Sequence, residues 1–169
     1  KNFDVRPTTD FAKEALFSIL ANRYDVEFCS VLDLFAGIGS ISLELASRDC
    51  NDITAVEMNP KHAAFINSTA SELEMALQIN VQRGDVFEWL KKNRTKKLYD
   101  IVFADPPFEL EEKKYNELIS LVLNNEFLKE TGTFVLEHQS KMKLEHPNLT
   151  ETRKYGNVSF SFYEPNQEA

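Results

Sequence analysis

The feature that most constrains the fold is a short apolar run that ends in two closely spaced glycines. Residues 31–40 read Val-Leu-Asp-Leu-Phe-Ala-Gly-Ile-Gly-Ser, and apolar residues at helical spacing follow them. This pattern predicts a buried strand, a tight turn through Gly37 and Gly39, and the start of a helix. Backbone N–H groups at such a helix start lack partners within the helix, and glycines let a ligand approach the chain closely. The segment is therefore a candidate cradle for a nucleotide-like cofactor.

The residues around the two glycines restrict which cofactor can bind there. A dinucleotide fingerprint requires a third glycine, and Ser42 stands at that position. Asp33 would repel a pyrophosphate, but it suits a cationic, amino-acid-like ligand such as S-adenosylmethionine, which carries a sulfonium and an ammonium group. Glu57 ends the next predicted strand, where a carboxylate can accept hydrogen bonds from both hydroxyls of a ribose. Glycines used only for tight packing explain this segment equally well when it is considered alone.

A second apolar strand pattern ends in an Asp-Pro-Pro-Phe tetrapeptide. Residues 99–104 are followed by Asp105, Pro106, Pro107 and Phe108. The prolines end the strand and stiffen the loop, because proline has a fixed φ and no backbone N–H. The Asp105 carboxylate and the Pro106 carbonyl then remain as acceptors for an exocyclic amine, and Phe108 offers a ring on which a planar base can stack. Alone, the tetrapeptide would also fit a proline-capped turn.

The rest of the chain alternates predicted helices and strands. Helices are predicted over residues 11–20, 40–48, 60–73, 86–93 and 115–123, and further strands over residues 53–57, 77–82 and 133–137, with a hairpin over 153–163. This order predicts an α/β fold with an open, mostly parallel sheet and an antiparallel C-terminal hairpin. Ligands bind outside the carboxyl ends of the strands in such sheets. We therefore expect one cleft to contain the four residues that follow strand ends: Gly37, Glu57, Asp85 and Asp105.

Composition narrows the class of protein further. The 169 residues predict one domain over 1–169, and no apolar run approaches the ~18 residues that cross a membrane. No secretory signal pattern is present, so we expect a cytoplasmic protein without membrane attachment. Two cysteines and three scattered histidines fit no metal site. A net charge of −8 argues against a general nucleic-acid binder, although a local basic face is compatible with it.

These motifs together resemble those of one known family. The resemblance rests on Arg-Pro-Thr-Thr-Asp at 6–10, Asp-x-Phe-x-Gly-x-Gly at 33–39, Glu57, and Asp-Pro-Pro-Phe at 105–108. The chain resembles the RsmD family, bacterial methyltransferases of 16S ribosomal RNA, over nearly its whole length. The resemblance implies a Rossmann-like, class I S-adenosylmethionine-dependent methyltransferase fold with a seven-stranded sheet. It also implies methyl transfer to the exocyclic N2 amine of one guanine.

The resemblance implies roles for the candidate residues. The loop over 33–39 would hold the methionine part of the cofactor, Glu57 the ribose, Asp85 and Val86 the adenine, and 105–108 the guanine. The cofactor-binding candidates are Thr8, Thr9, Asp33, Phe35, Ala36, Gly37, Gly39, Glu57, Met58, Asp85, Val86 and Asp105. The catalytic candidates are Asp105, Pro106, Pro107 and Phe108. From the residues alone, Asp85 fits a helix cap as well as an adenine contact, and Asp105 either orients the amine or also accepts its proton.

The chain departs from the family at its N-terminus, and two other functions compete. Family members usually carry a basic segment before the Arg-Pro-Thr-Thr motif, and only five residues precede Arg6 here, so we expect this extension to be absent.

We expect a monomer that acts on 16S rRNA within a small ribosomal subunit or an assembly intermediate. The alternatives are an amino-methyltransferase for DNA adenine or protein glutamine, and a non-catalytic nucleotide-binding domain. A DNA enzyme needs a target-recognition domain, and a glutamine enzyme generally has Asn in place of Asp105.

Overall fold

The computed structural model describes residues 9–165, and its strands form one seven-stranded sheet in the order β3-β2-β1-β4-β5-β7-β6. The strands are β1 Ser30–Leu34, β2 Asp52–Glu57, β3 Ile79–Arg83, β4 Tyr99–Ala104, β5 Leu128–Gln139, β6 Leu149–Tyr155 and β7 Val158–Tyr163. The helices are α1 Asp10–Arg23, α2 Ser40–Ser47, α3 Pro60–Glu72, α4 Val86–Lys92 and α5 Glu112–Asn124, with a 3-10 turn at Val26–Phe28. Of the predicted motifs, Arg6, Pro7 and Thr8 lie outside the described residues.

The connectivity of this sheet places four strand ends at one edge. Strands β1 to β5 run parallel, β7 runs antiparallel to β5, and β6 runs antiparallel to β7. Leu34 at the end of β1 pairs with Val56 on one side and with Ala104 on the other. The strand order reverses between β1 and β4, which is where open α/β sheets bind ligands. The predicted mostly parallel sheet with an antiparallel hairpin is confirmed.

Helices cover both faces of the sheet, which explains why the central strands read as continuous apolar runs. All five residues of β1 are buried, and successive residues alternate between two core clusters. Val31 packs in the cluster formed with α1, α2 and α3, whereas Leu32 packs in the cluster formed with α4 and α5. Because both faces are filled, the sheet offers a ligand only its edge.

Three helices next to the site begin with side-chain caps that the sequence indicates. Thr9 Oγ1 accepts from Ala12 N at 3.2 Å in α1, and Asn59 Oδ1 accepts from Lys61 N at 2.8 Å in α3. In α4 the cap is Asp85. A side-chain cap contributes typically about 1 kcal/mol and sets the residue at which a helix starts. These caps therefore fix how each chain segment leaves the sheet edge.

Several predicted boundaries differ from the structure, each for a local reason. Strand β3 begins at Ile79 because Leu77 lies in a turn, with its side chain fully exposed. Helix α5 begins at Glu112, three residues before the start predicted at residue 115. Strand β5 extends back to Leu128, beyond Gly132, where a Cβ would lie 2.9 Å from the carbonyl oxygen of Tyr99. Glycine therefore allows close strand approach here rather than ending the strand. Strand β6 begins at Leu149, four residues earlier than the predicted hairpin.

Candidate active site

A cleft of about 500 Å³ opens at the carboxyl ends of β1 and β4. Its walls come from the segments that follow four strands of the sheet. The lining residues are Asp33, Phe35, Ala36, Gly37, Ile38, Ser40, Ile41, Glu57, Met58, Asn59, His62, Asp85, Val86, Phe103, Asp105, Pro106, Pro107, Phe108 and Glu109. The volume lies in the range of pockets that bind cofactors and other small molecules.

The loop after β1 takes a left-handed backbone conformation at three positions. The φ angles are 59° at Phe35, 60° at Gly37 and 88° at Gly39. A Cβ on Gly39 would lie 2.9 Å from Ile66 Cγ1, so this glycine is required by packing as well as by its φ. A Cβ on Gly37 would meet no atom of the described chain within 4 Å, so Gly37 leaves open space beside the cleft. The two glycines therefore have different functions within one turn.

Glu57, at the end of β2, is held by backbone amides of two loops. Its Oε1 accepts from Gly37 N at 2.7 Å, and its Oε2 accepts from Asn59 N at 3.0 Å. The ring nitrogen Nδ1 of His62 lies 3.6 Å from the same Oε2. The carboxylate is thereby oriented at the cleft wall, and each oxygen retains lone-pair capacity for a ligand hydroxyl.

Asp33 lies on the floor of the cleft and is almost completely buried. Its Oδ2 accepts a hydrogen bond of 2.6 Å from Ser42 Oγ, and only 1% of its surface is exposed. Burial raises the pKa of Asp33 from 3.8 to about 7, although the bonds from Ser42 oppose this shift. Ser42 occupies the third-glycine position of a dinucleotide site, and its hydroxyl explains why a glycine would not serve there. A cation in the cleft would favour the ionised form of Asp33.

Asp85 lies between β3 and α4 and caps the helix. Its Oδ2 accepts from Glu88 N at 3.1 Å, which establishes the capping role. The same residue lines the cleft beside Val86, whose side chain is 2% exposed. A carboxylate can accept a hydrogen bond from the amine of a purine, while a neighbouring apolar side chain contacts the face of the ring. The structure is therefore compatible with both predicted roles of Asp85.

The loop after β4 is fixed by backbone bonds and by α5. Asp105 N donates to Leu34 O at 3.3 Å, which ties the start of the loop to the end of β1. The Pro107 carbonyl accepts from Leu110 N at 3.1 Å and from Tyr115 Oη at 3.5 Å. Phe108 nevertheless remains 42% exposed at the mouth of the cleft. The loop thus presents a ring to solvent from a rigid support.

The cleft is lined by acidic side chains, and their charge favours some ligands over others. Five of its lining residues carry carboxyl groups: Asp33, Glu57, Asp85, Asp105 and Glu109. Among the lining residues that the structure describes there is no Lys or Arg, and the one histidine, His62, lies beside Glu57. A pyrophosphate would meet these carboxylates without a compensating Lys or Arg among the described lining residues. The electrostatics therefore favour a cationic ligand.

The structure brings together most of the predicted site residues. Two described candidates do not line the cleft: Thr9 caps α1, and Gly39 packs against Ile66 behind the loop. Sequence reasoning missed seven lining residues: Ile38, Ser40, Ile41, Asn59, His62, Phe103 and Glu109. The Asn59-Pro60 helix start was a signal for Asn59 and for His62 in the following turn. Glu109 was detectable only as the residue after Phe108.

Residues 9–165 were also compared with what a membrane span, a metal site and a reactive cysteine require. Within this range no helix is long and apolar enough to cross a membrane, and no three metal-ligating side chains cluster. The two cysteines are free and buried, and burial raises the pKa of the Cys29 thiol to about 12. A thiol with this pKa is not a nucleophile at neutral pH.

The sheet order and the cleft at the β1–β4 switch point define a class I S-adenosylmethionine-dependent methyltransferase fold. The chain belongs to the RsmD family: a family model described as conserved hypothetical protein 95 matches residues 1–164. A ribosomal RNA small subunit methyltransferase D of Buchnera aphidicola is 30% identical, covering 95% of this chain and 81% of the relative. The predicted family is confirmed.

Solved structures resemble the chain in fold. A hypothetical protein of Thermus thermophilus superimposes with a TM-score of 0.82 and 25% identity, covering 96% of this chain and 90% of that chain. The 16S rRNA N2 methyltransferase of T. thermophilus, in complex with AdoMet and guanosine, gives a TM-score of 0.76 at 20% identity. This match covers 97% of this chain and 45% of that chain. The predicted fold class is confirmed.

Proposed function

We propose that this protein transfers a methyl group from S-adenosylmethionine to the exocyclic N2 amine of a guanine in 16S ribosomal RNA. The observation that carries the proposal is the convergence of the 105–108 loop with Gly37 and Glu57 in one acidic cleft. The name of the B. aphidicola relative supports an rRNA substrate, and the AdoMet and guanosine bound to the T. thermophilus neighbour support both ligands.

The acidic cleft fits S-adenosylmethionine group by group. Asp33 and the loop through Phe35, Ala36 and Gly37 face the cationic methionine part. Glu57 accepts from the ribose hydroxyls, with Met58 next to it. Asp85 and Val86 take the amine and the face of the adenine. The cofactor supplies the methyl group on a sulfonium and leaves as the neutral thioether S-adenosylhomocysteine.

The loop after β4 is proposed to activate the guanine by orientation. The N2 lone pair of guanine is conjugated with the ring and is therefore a poor nucleophile. Asp105 and the Pro106 carbonyl accept the two N2–H groups and turn the lone pair toward the methyl group, while Phe108 stacks on the base and Pro107 stiffens the loop. Alignment of the reacting atoms is the main contribution. In this proposal Asp105 also accepts the proton that N2 loses.

A base can reach this loop only when it is unpaired or flipped out of a helix. We propose that the protein acts as a monomer on the rRNA of a small subunit or an assembly intermediate. We further propose a cytoplasmic site of action and one methyltransferase domain over 1–169.

The test is methyl transfer from labelled S-adenosylmethionine to small ribosomal subunits that lack the modification, to protein-free 16S rRNA, and to duplex DNA. We expect label in 16S rRNA that maps to N2 of one guanine, and no label with the variant Asp105→Ala. Label in DNA adenine or in a ribosomal protein would replace the proposed substrate, whereas cofactor binding without any transfer would reject the enzyme assignment.

A further inference from the structure

We propose that Glu109 is a specificity-determining residue that selects guanine by accepting a hydrogen bond from its N1–H. The proposal rests on the proposed function, because it concerns the base that the 105–108 loop presents for methylation. It goes beyond the resemblance to the family, which assigns residues 105–108 and ends at Phe108.

Glu109 occupies a defined position in a rigid turn at the cleft. Leu110 N donates to Pro107 O at 3.1 Å, so Phe108 and Glu109 are the two central residues of a β-turn. The buried Tyr115 donates to the same Pro107 carbonyl, which anchors the turn to α5. Phe108 and Glu109 both line the cleft. A carboxylate therefore stands directly beside the ring on which the base is proposed to stack.

Glu109 differs from Asp33, Glu57 and Asp85 because its carboxylate bonds to no residue that the structure describes. Asp33 bonds to Ser42, Glu57 bonds to two backbone amides, and Asp85 caps α4. Glu109 makes no hydrogen bond or ion pair with any residue in the range 9–165. An acceptor-only group in this position is available to a donor on a ligand.

The hydrogen-bonding edges of the purines indicate which N–H group of the base would donate to Glu109. Guanine presents N1–H next to its N2 amine, so one edge carries three N–H groups. If Asp105 and the Pro106 carbonyl accept both N2–H groups, the N1–H remains for the next acceptor along the loop, which is Glu109. Adenine has an unprotonated N1 whose lone pair would face the carboxylate. A site that accepts a hydrogen bond from a substrate N–H strongly rejects analogues that lack this group.

The first experiment measures kcat and KM for methyl transfer to small subunits that lack the modification, using Glu109→Gln. The matched control is Glu111→Gln, because Glu111 undergoes the same charge change two residues away, makes no side-chain cap, and does not line the cleft. We expect kcat/KM to fall about tenfold or more in Glu109→Gln, the loss typical of a charge-assisted hydrogen bond, and to be unchanged in Glu111→Gln. Equal activities in the two variants would overturn the proposal. A loss of S-adenosylmethionine affinity as large as the loss of kcat/KM would also overturn it.

The second experiment tests the contribution of the N1–H by comparing the binding of two nucleosides. Binding is measured by ligand-observed NMR in the presence of S-adenosylhomocysteine. Guanosine carries N1–H and the 2-amine, whereas 2-aminopurine riboside keeps the amine and lacks N1–H. We expect the wild-type protein to prefer guanosine, and Glu109→Gln to lose this preference because its side-chain amide can also donate to an unprotonated N1. An unchanged preference would overturn the proposal. Failure of the proposed function is separable, since it would appear as wild-type protein that leaves guanine N2 unlabelled.

Discussion

Two loops lie at the same sheet edge, the glycine loop over 35–39 and the proline loop over 105–110. They differ in how their amides are bonded and in which side chains they expose. In the glycine loop, left-handed residues turn the backbone beside the cleft, and the amides of Ala36, Gly37 and Gly39 donate to acceptors within the protein. In the proline loop, two residues have no backbone N–H, and the side chains of Phe108 and Glu109 are exposed. Of the two loops, only the proline loop therefore lines the cleft with large side chains that are exposed.

This difference fits the sizes of the two proposed ligands. A small cofactor can be enclosed, and the proposed binding groups are the carboxylates of the buried Asp33 and of Glu57 beside the glycine loop. A base attached to a large RNA can only be inserted from outside, so exposed side chains on a stiff support must receive it. Variants of the two loops should accordingly separate cofactor binding from methyl transfer.

The largest expected effect is in the proline loop. Asp105→Ala should lower kcat by about a thousandfold or more, because in the proposed mechanism Asp105 both orients the amine and accepts its proton. Cofactor affinity should survive, since the glycine loop and Glu57 are unchanged. Methyl-transfer assays and calorimetric titration with S-adenosylmethionine measure the two quantities on the same preparation. Substantial remaining transfer would remove Asp105 from its proposed role.

The next effect is in the glycine loop and concerns stability. Gly39→Ala should lower the free energy of unfolding by about 2–4 kcal/mol, since the new Cβ meets Ile66 and the φ of 88° is strained. Gly37→Ala is the matched control, because it shares the positive φ without the contact, and it should cost about 1 kcal/mol. Chemical denaturation measures both. If the two variants were equally stable, the packing against Ile66 would not be what requires Gly39.

A smaller effect is expected for the exposed ring of the proline loop. Phe108→Ala should lower kcat/KM for the RNA substrate roughly tenfold to a hundredfold, in line with stacking energies of about 1–3 kcal/mol per base. The free energy of unfolding is measured on the same preparations, because the ring is 42% exposed and therefore partly packed. Phe28→Ala removes a ring that is 77% exposed and lies outside the cleft, and it serves as the control. Similar kcat/KM values for both variants would contradict base stacking on Phe108.

The smallest effect is a pH dependence of cofactor binding. Burial raises the pKa of Asp33 to about 7, and the nearby Glu57 acts in the same direction. A bound cation favours the ionised carboxylate, so binding below this pKa must displace a proton, and affinity should weaken about tenfold as pH falls from about 8 to about 6. Calorimetry in two buffers of different ionisation enthalpy detects the released proton.

The variant Asp33→Asn tests the assignment of this proton. The amide oxygen still accepts from Ser42, and the group no longer titrates, so proton release should disappear. For the free protein the sign is opposite: the folded state holds the proton more tightly than the unfolded chain, so Asp33 lowers stability as pH rises from about 4 to about 7. If Asp33→Asn retained the proton release, Asp33 would not be its source.

The accuracy of the sequence predictions followed the range of the interactions involved. Helix α1 was predictable because Thr9 and the apolar spacing are local signals, and β1 because the run is short and apolar. The start of β5 was not predictable, since Gly132 is required by the carbonyl of Tyr99, a residue 33 positions earlier. His62 was missed as a cleft residue, although the Asn59-Pro60 helix start was a signal for it, because its place in the cleft depends on the direction in which α3 leaves β2.

The sequence by itself determined the alternation of strands and helices and the two loops that follow β1 and β4, because glycine, proline and apolar spacing act within a few residues. Tertiary structure decided what these loops do together. Only the pairing of β1 with β4 brings Gly37 and Asp105 to one cleft, and burial, together with the nearby Glu57, raises the pKa of Asp33 toward neutrality. Distances and desolvation between segments far apart in the chain are properties of packing, and no local pattern encodes them.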